Sequence, residues 1–188
     1  VLFAINLMDR DRASFSRTLE ALQKKFGREV IPLQLPIGEE SSFSGVVDLV
    51  AGKAFTWEHD ESGKVTEGDI PADMADDVAS AREALMEMVA EQDEELMDKY
   101  LEEGEFDAET FAGGLKKAVV ARELFPVFAV AAAKNIGVQP IMDALVDLAP
   151  APDWRPVPVT VDGEEQEFTA SPDSPFAAYV FKSISDPF

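Results

Sequence analysis

The sequence contains no cysteine and a single histidine, His59, among its 188 residues. Without cysteine the chain can form neither a disulfide nor a thiolate metal site, and one imidazole cannot build a histidine metal site. His59 lies in the run HDESG, which is typical of a turn, so we interpret it as a solvated loop residue. The sequence therefore predicts no metal ligands and no histidine-based catalyst.

Long apolar runs are also lacking. No run approaches the ~20 residues that span a bilayer, and no signal-peptide pattern opens the chain. Hydrophobic residues make up 46% of the sequence, which is enough for a buried core. The chain begins inside an apparent strand, without Met, and ends just after another, so we expect it to be a fragment of a longer protein.

Basic side chains are scarce. Sixteen Lys and Arg stand against 37 Asp and Glu, which gives a formal net charge of −21. Affinity for nucleic acid depends chiefly on basic side chains that displace counterions, so direct nucleic-acid binding is disfavoured. A basic protein partner fits this charge better. The alternative is that the acidic surface serves only solubility.

The first nine residues, VLFAINLMD, organise the chain. Val1 to Ile5 form a continuous apolar run, which is typical of a strand that is covered on both faces in a parallel sheet. Asn6 and Asp9 follow at the carboxyl end, which is the edge where such sheets bind ligands. A carboxylate there can accept two parallel hydrogen bonds, either from a guanidinium group or from the N1–H and amino group of guanine.

The rest of the chain predicts a switch from the parallel sheet to antiparallel strands, followed by a return to the parallel sheet. Periodicity and turn signals first predict a helix over 15–26 and an edge strand over 30–37. Short antiparallel strands over 46–50, 54–57 and 64–66 follow, and then helices from Ile70 to Gly104 and over 107–123. A buried strand over 124–132 and a helix over 137–148 come next. After a proline-rich connector, a hairpin turns at Asp162-Gly163 and an alternating strand covers 176–184. The antiparallel part therefore indicates an insertion into a parallel-sheet domain.

The helical stretch over 71–103 concentrates acidic residues on one face, answered in the sequence only by Arg82 and Lys99. The acidic residues are Asp73, Asp76, Asp77, Glu83, Glu87, Glu91, Asp93, Glu94, Glu95, Asp98, Glu102 and Glu103. Such a run is either a solvated face or a docking surface for a basic partner, and the pattern alone leaves both open.

Several segments resemble translation elongation factor G. Asn6-Leu7-Met8-Asp9 resembles the guanine-specificity motif of GTP-binding proteins, Asn-Lys-x-Asp, with Leu7 in place of lysine. The continuations NLMDRDRASFSRTLEALQKKFG, PLQLPIGEESSFSGVVDLVAGKAFTW and KNIGVQPIMDALVDLAP resemble that family more specifically. The turn over 131–135 resembles its second guanine-recognition motif, in which Ala131 replaces a serine and Ala132 keeps a backbone N–H donor.

This resemblance implies an α/β fold: part of a P-loop GTPase-type parallel sheet with an inserted α+β subdomain, followed by the first strand of a β-barrel. The implied divisions are 1–35 and 123–150 for the GTPase domain, 36–122 for the insertion, 151–173 for a linker and 174–188 for the barrel's start. The implied base-binding residues are Asn6, Leu7, Asp9, Ala131 and Ala132, with no catalytic residue in the chain.

The function implied is that of a fragment of a cytoplasmic, ribosome-associated GTPase that drives translocation in protein synthesis. GTP or GDP would be the ligand, with Mg²⁺ held by an upstream part, and the fragment alone would carry none. The acidic face over 71–103 would dock the basic C-terminal domain of the ribosomal stalk protein. The alternative is a related paralogue or a ribosome-protection protein with weakened guanine binding, in which this fragment acts only as a protein-docking module. No Gly-x-x-x-x-Gly-Lys-Ser/Thr occurs, so we expect no GTPase activity from the fragment.

Overall fold

The computed structural model describes residues 1–60 and 62–185, which form a mixed α/β fold. Its helices are α1 (Phe15–Phe26), α2 (Ala75–Ala90), α3 (Glu94–Glu103), α4 (Ala108–Ala121) and α5 (Val138–Leu148). Its strands are β1 (Phe3–Ile5), β2 (Val30–Pro32), β3 (Gln34–Ile37), β4 (Gly45–Asp48), β5 (Lys53–Trp57), β6 (Val65–Gly68), β7 (Phe125–Ala129), β8 (Val157–Val161) and β9 (Glu164–Phe168).

A three-stranded parallel sheet in the order β1-β7-β2 carries the two apolar runs predicted as strands. The expectation that Val1 to Ile5 is covered on both faces is wrong, because β1 is an edge strand among the described residues and Val1 and Ala4 are exposed. In the register of this sheet Ile5 pairs with Ala129, so β1 and β7 end at the same edge. α1 follows β1, as its apolar spacing predicts, and ends at Gly27, whose φ of 104° favours glycine. The parallel sheet is therefore assembled from segments far apart in the sequence.

The predicted strand over 30–37 is wrong as a single element. Its first part, β2, pairs with β7 in the parallel sheet, whereas its second part, β3, pairs with β4 in an antiparallel sheet. Pro32 cannot donate a hydrogen bond to a ladder, and the direction changes there. Leu33 joins the two sheets, because its N–H donates to Val127 O at 3.1 Å and its carbonyl accepts from Leu49 N at 2.9 Å.

The predicted three-stranded antiparallel meander is confirmed as β4, β5 and β6, and β3 adds a fourth strand that was not predicted to belong to it, in the order β3-β4-β5-β6. The proline-containing strands β2 and β3 are both edge strands, as predicted from Pro32 and Pro36. β3 and β4 contribute Leu35 and Val47 to the main core, which also takes residues from α2 and α4. The insertion-like sheet and the helices therefore share one hydrophobic core.

Glycines within α4 have opposite surroundings. The sequence predicts that Gly113-Gly114 weakens this helix, because glycine costs about 1 kcal/mol relative to alanine in a helix interior. Nothing lies close to Gly113, whereas Gly114 is buried, and a Cβ there would lie 2.7 Å from a Leu96 methyl and 2.9 Å from a Val89 methyl. The helix therefore uses glycine where α2 and α3 approach it closely.

The chain divides into two compact units, Val1–Ala149 and the described residues from Pro150 onward. The second unit contains the predicted hairpin, β8 paired with β9 around Asp162-Gly163. The strand predicted over 176–184 is wrong, because these residues form no regular secondary structure, and its closing Asp186-Pro187 lies outside the described residues. A lone strand has no partner to satisfy its backbone. The finer five-segment division stays a prediction.

No helix in the described part of the chain is both long and apolar enough to cross a bilayer.

Candidate functional site

The loops that follow β1 and β7 lie side by side at the carboxyl edge of the parallel sheet. Val130 N–H donates to Ile5 O at 3.0 Å, and Met8 N–H donates to Val130 O at 3.2 Å, so the ladder continues past the strand ends. Met8 is 1% exposed and Ala131 is 1% exposed, which anchors both loops in the core. The structure thus brings together the two segments that the sequence singles out.

Asn6 ties these two loops together. Its Oδ1 accepts hydrogen bonds from Leu7 N at 2.8 Å and from Ala132 N at 3.0 Å. The second bond spans 126 positions of sequence, so it fixes the distance between the loops. The Ala132 N–H is therefore occupied in the structure, and a ligand carbonyl could accept from it only by replacing Asn6.

Asp9 is the unsatisfied group at this edge. Its Oδ1 is inaccessible to solvent and makes no hydrogen bond within the described residues, although the residue as a whole is half-buried. Leaving a buried polar atom without a partner costs about 1–3 kcal/mol, and more when it is charged. Native structures hydrogen-bond almost all such atoms, so an exception at the edge where parallel sheets bind ligands makes Asp9 a candidate binding residue. A ligand that brings hydrogen-bond donors would satisfy the unpaired oxygen of the Asp9 carboxylate.

Leu7 presents an apolar surface beside Asp9. Its side chain is 47% exposed and its φ is 64°, which is uncommon for a residue other than glycine, asparagine or aspartate. The turn that holds it is closed by Arg10 N–H donating to Leu7 O at 3.0 Å. Leu7 can therefore cover a flat ligand but supplies no charge.

The 131–137 loop is closed at its base by two hydrogen bonds between Ala131 and Ile136, at 3.0 and 3.2 Å. Between them, Ala132–Lys134 form a single 3-10 turn and Asn135 adopts a left-handed φ of 56°. Gly137 is required at the exit, because a Cβ there would lie 2.6 Å from the Ala129 carbonyl oxygen. The loop is thus rigid in front of α5.

Two acidic residues that the sequence did not single out hold the segment that follows Asp9. Glu40 Oε1 accepts from Arg12 N at 2.9 Å, and Glu39 Oε1 accepts from Phe15 N at 3.2 Å. These bonds fix the segment between Asp9 and α1 from across the chain. In the sequence the pair belongs to a polar turn, and no local signal marks its tertiary role.

Trp57 and Gln139 form a second unforeseen link, between the antiparallel sheet and α5. Trp57 Nε1–H donates to Gln139 Oε1 at 3.1 Å, and Gln139 Nε2 donates to Gly63 O at 2.8 Å. Gly63 also packs on Asn135, whose Nδ2 would lie 2.2 Å from any added Cβ. The antiparallel sheet therefore supports the rim of the 131–137 loop.

The acidic face of α2 and α3 is partly paired, and not by the two cations expected from its sequence. Glu91 pairs with Arg28 at 2.8 Å, and Asp93 pairs with Lys117 at 3.3 Å. The hydrogen bond from Lys117 lowers the pKa of Asp93. Arg82 instead donates to the carbonyl oxygens of Leu49 and Val50, and Lys99 pairs with Asp107 at 2.7 Å.

Glu83 and Glu87 remain exposed on α2, one helical turn apart, and make no ion pair within the described part of the chain. Eight further acidic residues of this face are also exposed and make no ion pair among the described residues: Asp73, Asp76, Asp77, Glu94, Glu95, Asp98, Glu102 and Glu103.

No family model matches this sequence. The fold is similar to the crystal structure of a protein from Thermus thermophilus, with a TM-score of 0.72 and 28% sequence identity. The match covers 82% of this chain but only 24% of the Thermus protein, so the chain spans about a quarter of that protein's length.

Proposed function

We propose that this chain is part of a translational GTPase similar to elongation factor G and that its Asn6–Asp9 and Ala131–Asn135 loops bind the guanine base. The observation that carries this proposal is the unpartnered, inaccessible Oδ1 of Asp9 beside two loops that Asn6 ties together. The parallel order β1-β7-β2 suits the corresponding half of a P-loop GTPase sheet. The match with about a quarter of a longer protein agrees with a fragment.

Each residue has a distinct role in this proposal. The Asp9 carboxylate accepts from guanine N1–H and the exocyclic amino group, which satisfies the buried oxygen. Asn6 braces the two loops before the base binds, and Leu7 covers one face of the ring. When the base binds, its carbonyl oxygen replaces Asn6 Oδ1 as the acceptor of the Ala132 N–H. Ala131 keeps the loop backbone in place but has no hydroxyl to stiffen it.

Two of these positions favour weakened guanine binding. Leu7 lacks the ammonium group of the family's lysine, and a lost cation–π contact is worth roughly 0.5–2 kcal/mol. Ala131 lacks a serine hydroxyl, whose hydrogen bond is worth about 1 kcal/mol where it is buried. These residues favour the second candidate, a paralogue or ribosome-protection protein in which this segment mainly docks other proteins.

The chemistry of GTP hydrolysis belongs to other parts of the proposed parent. Phosphoryl transfer depends on positioned phosphate- and Mg²⁺-binding groups, and the sequence contains no phosphate-binding loop of the Gly-x-x-x-x-Gly-Lys-Ser/Thr type. This chain would supply base recognition and an acidic docking face, at α2 and α3, for the basic C-terminal domain of the stalk protein in the cytoplasm.

Substitution Asp9→Asn in the complete GTPase domain of the parent tests the base assignment. An asparagine amide places a donor against the guanine amino group, whereas xanthine offers a carbonyl oxygen there. We expect GDP affinity to fall by roughly ten- to a hundredfold, from the loss of hydrogen bonds to a charged group, and xanthosine diphosphate affinity to rise. Isothermal titration with both nucleotides measures this.

Asp11→Asn is the matched control, because Asp11 is exposed in the same loop. Unchanged GDP affinity in folded Asp9→Asn protein would remove Asp9 from the site.

A further inference from the structure

A cleft of about 390 Å³ lies within the first unit. It is lined by none of the proposed base-binding residues, which are Asn6, Leu7, Asp9, Ala131 and Ala132. One wall is the face of the antiparallel sheet that carries Phe55, Trp57 and Val65. The other walls are α4 and α5, and Phe128 of β7 lies among the lining residues. This volume is within the range of small-ligand pockets, which is about 300–1,000 Å³.

The lining is mostly apolar and includes aromatic rings. Trp57 is 4% exposed, with its indole N–H donated to Gln139, while Val65 is 43% exposed and lies toward solvent. Leu115 and Phe128 also line the cleft and are buried. Faces of aromatic rings attract cations as well as apolar groups, so such walls suit a ligand that has both.

The charged residues of the cleft all have one sign. Asp48, Asp143 and Asp147 line it, and none of the described residues that line it is basic. Asp143 and Asp147 are exposed, lie one turn apart on α5 and make no ion pair within the described part of the chain. Residues four apart on a helix are neighbours, so these carboxylates act together.

Asp48 contributes differently. Its Oδ1 accepts from Val50 N at 2.9 Å and Ala51 N at 2.8 Å, and burial raises the pKa of this carboxyl. The nearby charge of Arg82 partly opposes that shift. The Asp143 and Asp147 pair is therefore the more accessible source of negative charge for a ligand.

From this arrangement we propose that the cleft binds a small organic cation with an apolar body, such as a primary amine that carries an aromatic or aliphatic chain. The apolar body packs against Phe55, Trp57 and Leu115. The ammonium group lies at the mouth of the cleft and donates to Asp143 and Asp147, since charge-assisted hydrogen bonds are stronger than neutral ones. The proposal does not depend on nucleotide binding.

The two tryptophans allow a direct test in the intact 188-residue chain. Trp57 lines the cleft and Trp154 belongs to the second unit, so their indole N–H resonances give a site reporter and an internal reference. We choose 4-phenylbutylamine as the probe, with 4-phenylbutanol and 4-phenylbutyrate as its neutral and anionic counterparts. We expect a saturable shift of the Trp57 resonance with a dissociation constant of about 1 mM for the amine. The alcohol should bind more weakly, and the carboxylate should not bind.

Two variants locate the interaction, each with a matched control. The double substitution Asp143→Asn with Asp147→Asn should lower the affinity for the amine by about five- to tenfold, because it removes only charge. The affinity for the alcohol should not change. The control, Glu83→Gln with Glu87→Gln, removes the same charge from an equally spaced pair on α2. It should change neither the affinity for the amine nor the affinity for the alcohol. Ala112→Phe fills the cleft from an exposed position of α4 and should abolish binding, whereas Ala79→Phe on α2 should not.

The result that overturns the proposal is equally specific. No saturable Trp57 shift, equal shifts for all three probes, or full amine binding by the Ala112→Phe variant would each refute it. If a basic peptide shifts the Trp57 resonance and the amine does not, the cleft binds a polypeptide and not a small ligand. That result would also refute the proposal.

Discussion

Single residues decide what the proposed base site would recognise, and Leu7 is the most informative. If Leu7→Lys restores a cation over the base, GTP affinity of the complete GTPase domain should rise by about two- to thirtyfold, which corresponds to roughly 0.5–2 kcal/mol. Competitive titration with GTP measures the gain, and Leu7→Met, which adds length without charge, is the control. A gain of less than twofold would leave the proposal of specialisation through Leu7 without support.

Gln34 offers a residue-scale test of stability. It is fully buried, and neither its Nε2 nor its Oε1 makes a hydrogen bond within the described residues. Replacing such an amide with an apolar group of similar shape relieves the cost of burying it unpaired, so Gln34→Met should raise the free energy of unfolding by about 1–3 kcal/mol. Urea denaturation followed by circular dichroism measures this.

The control for that change is Gln92→Met. Gln92 Nε2 donates to Met88 O at 2.9 Å, so its replacement removes a bond that is made and should not stabilise. A loss of stability in Gln34→Met would mean that the buried amide has a partner in solution.

At the residue scale, the sequence singled out Asn6 and Asp9 as candidate binding residues because they directly follow an apolar run that is typical of a strand. It did not predict that Asn6 Oδ1 occupies the Ala132 N–H, since that bond joins loops 126 positions apart. Glu39 and Glu40 were missed for the same reason: their partners are backbone groups of a distant segment. Local pattern locates the groups, and tertiary structure assigns their bonds.

At the scale of elements, apolar periodicity predicted most helices and strands because each buries one face or one run. It failed at Leu33, where one apolar stretch serves two sheets, since the pattern of hydrophobic residues does not record strand direction. It failed again over 176–184, where alternation predicts a strand but no partner strand accompanies it among the described residues.

The prediction at the scale of elements concerns Glu83 and Glu87, an exposed acidic pair on α2. Glu83→Lys with Glu87→Lys should weaken binding of the stalk protein's C-terminal domain by about tenfold or more at low salt, because attraction becomes repulsion. The effect should shrink as ionic strength rises. Asp143→Lys with Asp147→Lys makes the same charge change on α5 and is the control. Binding that neither the substitutions nor salt alters would exclude this docking surface.

At the scale of the whole molecule, the lack of cysteine means that no disulfide holds the fold. Hydrogen bonds, packing and ion pairs hold the described residues together. That the chain has no metal site stays a prediction. The division at Ala149 coincides with the start of the proline-rich connector, but how the five proposed segments relate to function stays a prediction.

The isolated chain provides the whole-molecule test. Because it contains no phosphate-binding loop, we expect it to release no phosphate from GTP above the buffer rate. A colorimetric phosphate assay on a contaminant-free sample, with the complete parent as positive control, measures this. Turnover that persists through purification and disappears on Asp9→Asn would contradict our division of labour between this chain and the rest of the parent.

The peptide groups of Leu33 have one further consequence. Since one side of this residue is bonded to the parallel sheet and the other to the antiparallel sheet, neither sheet can slide or fray at this point without pulling on its neighbour. A disturbance that begins among β3 and β4 therefore reaches β7, the strand that leads into the 131–137 loop, through Leu33. The antiparallel sheet is thus coupled through Leu33 to the parallel sheet whose edge carries the proposed base site.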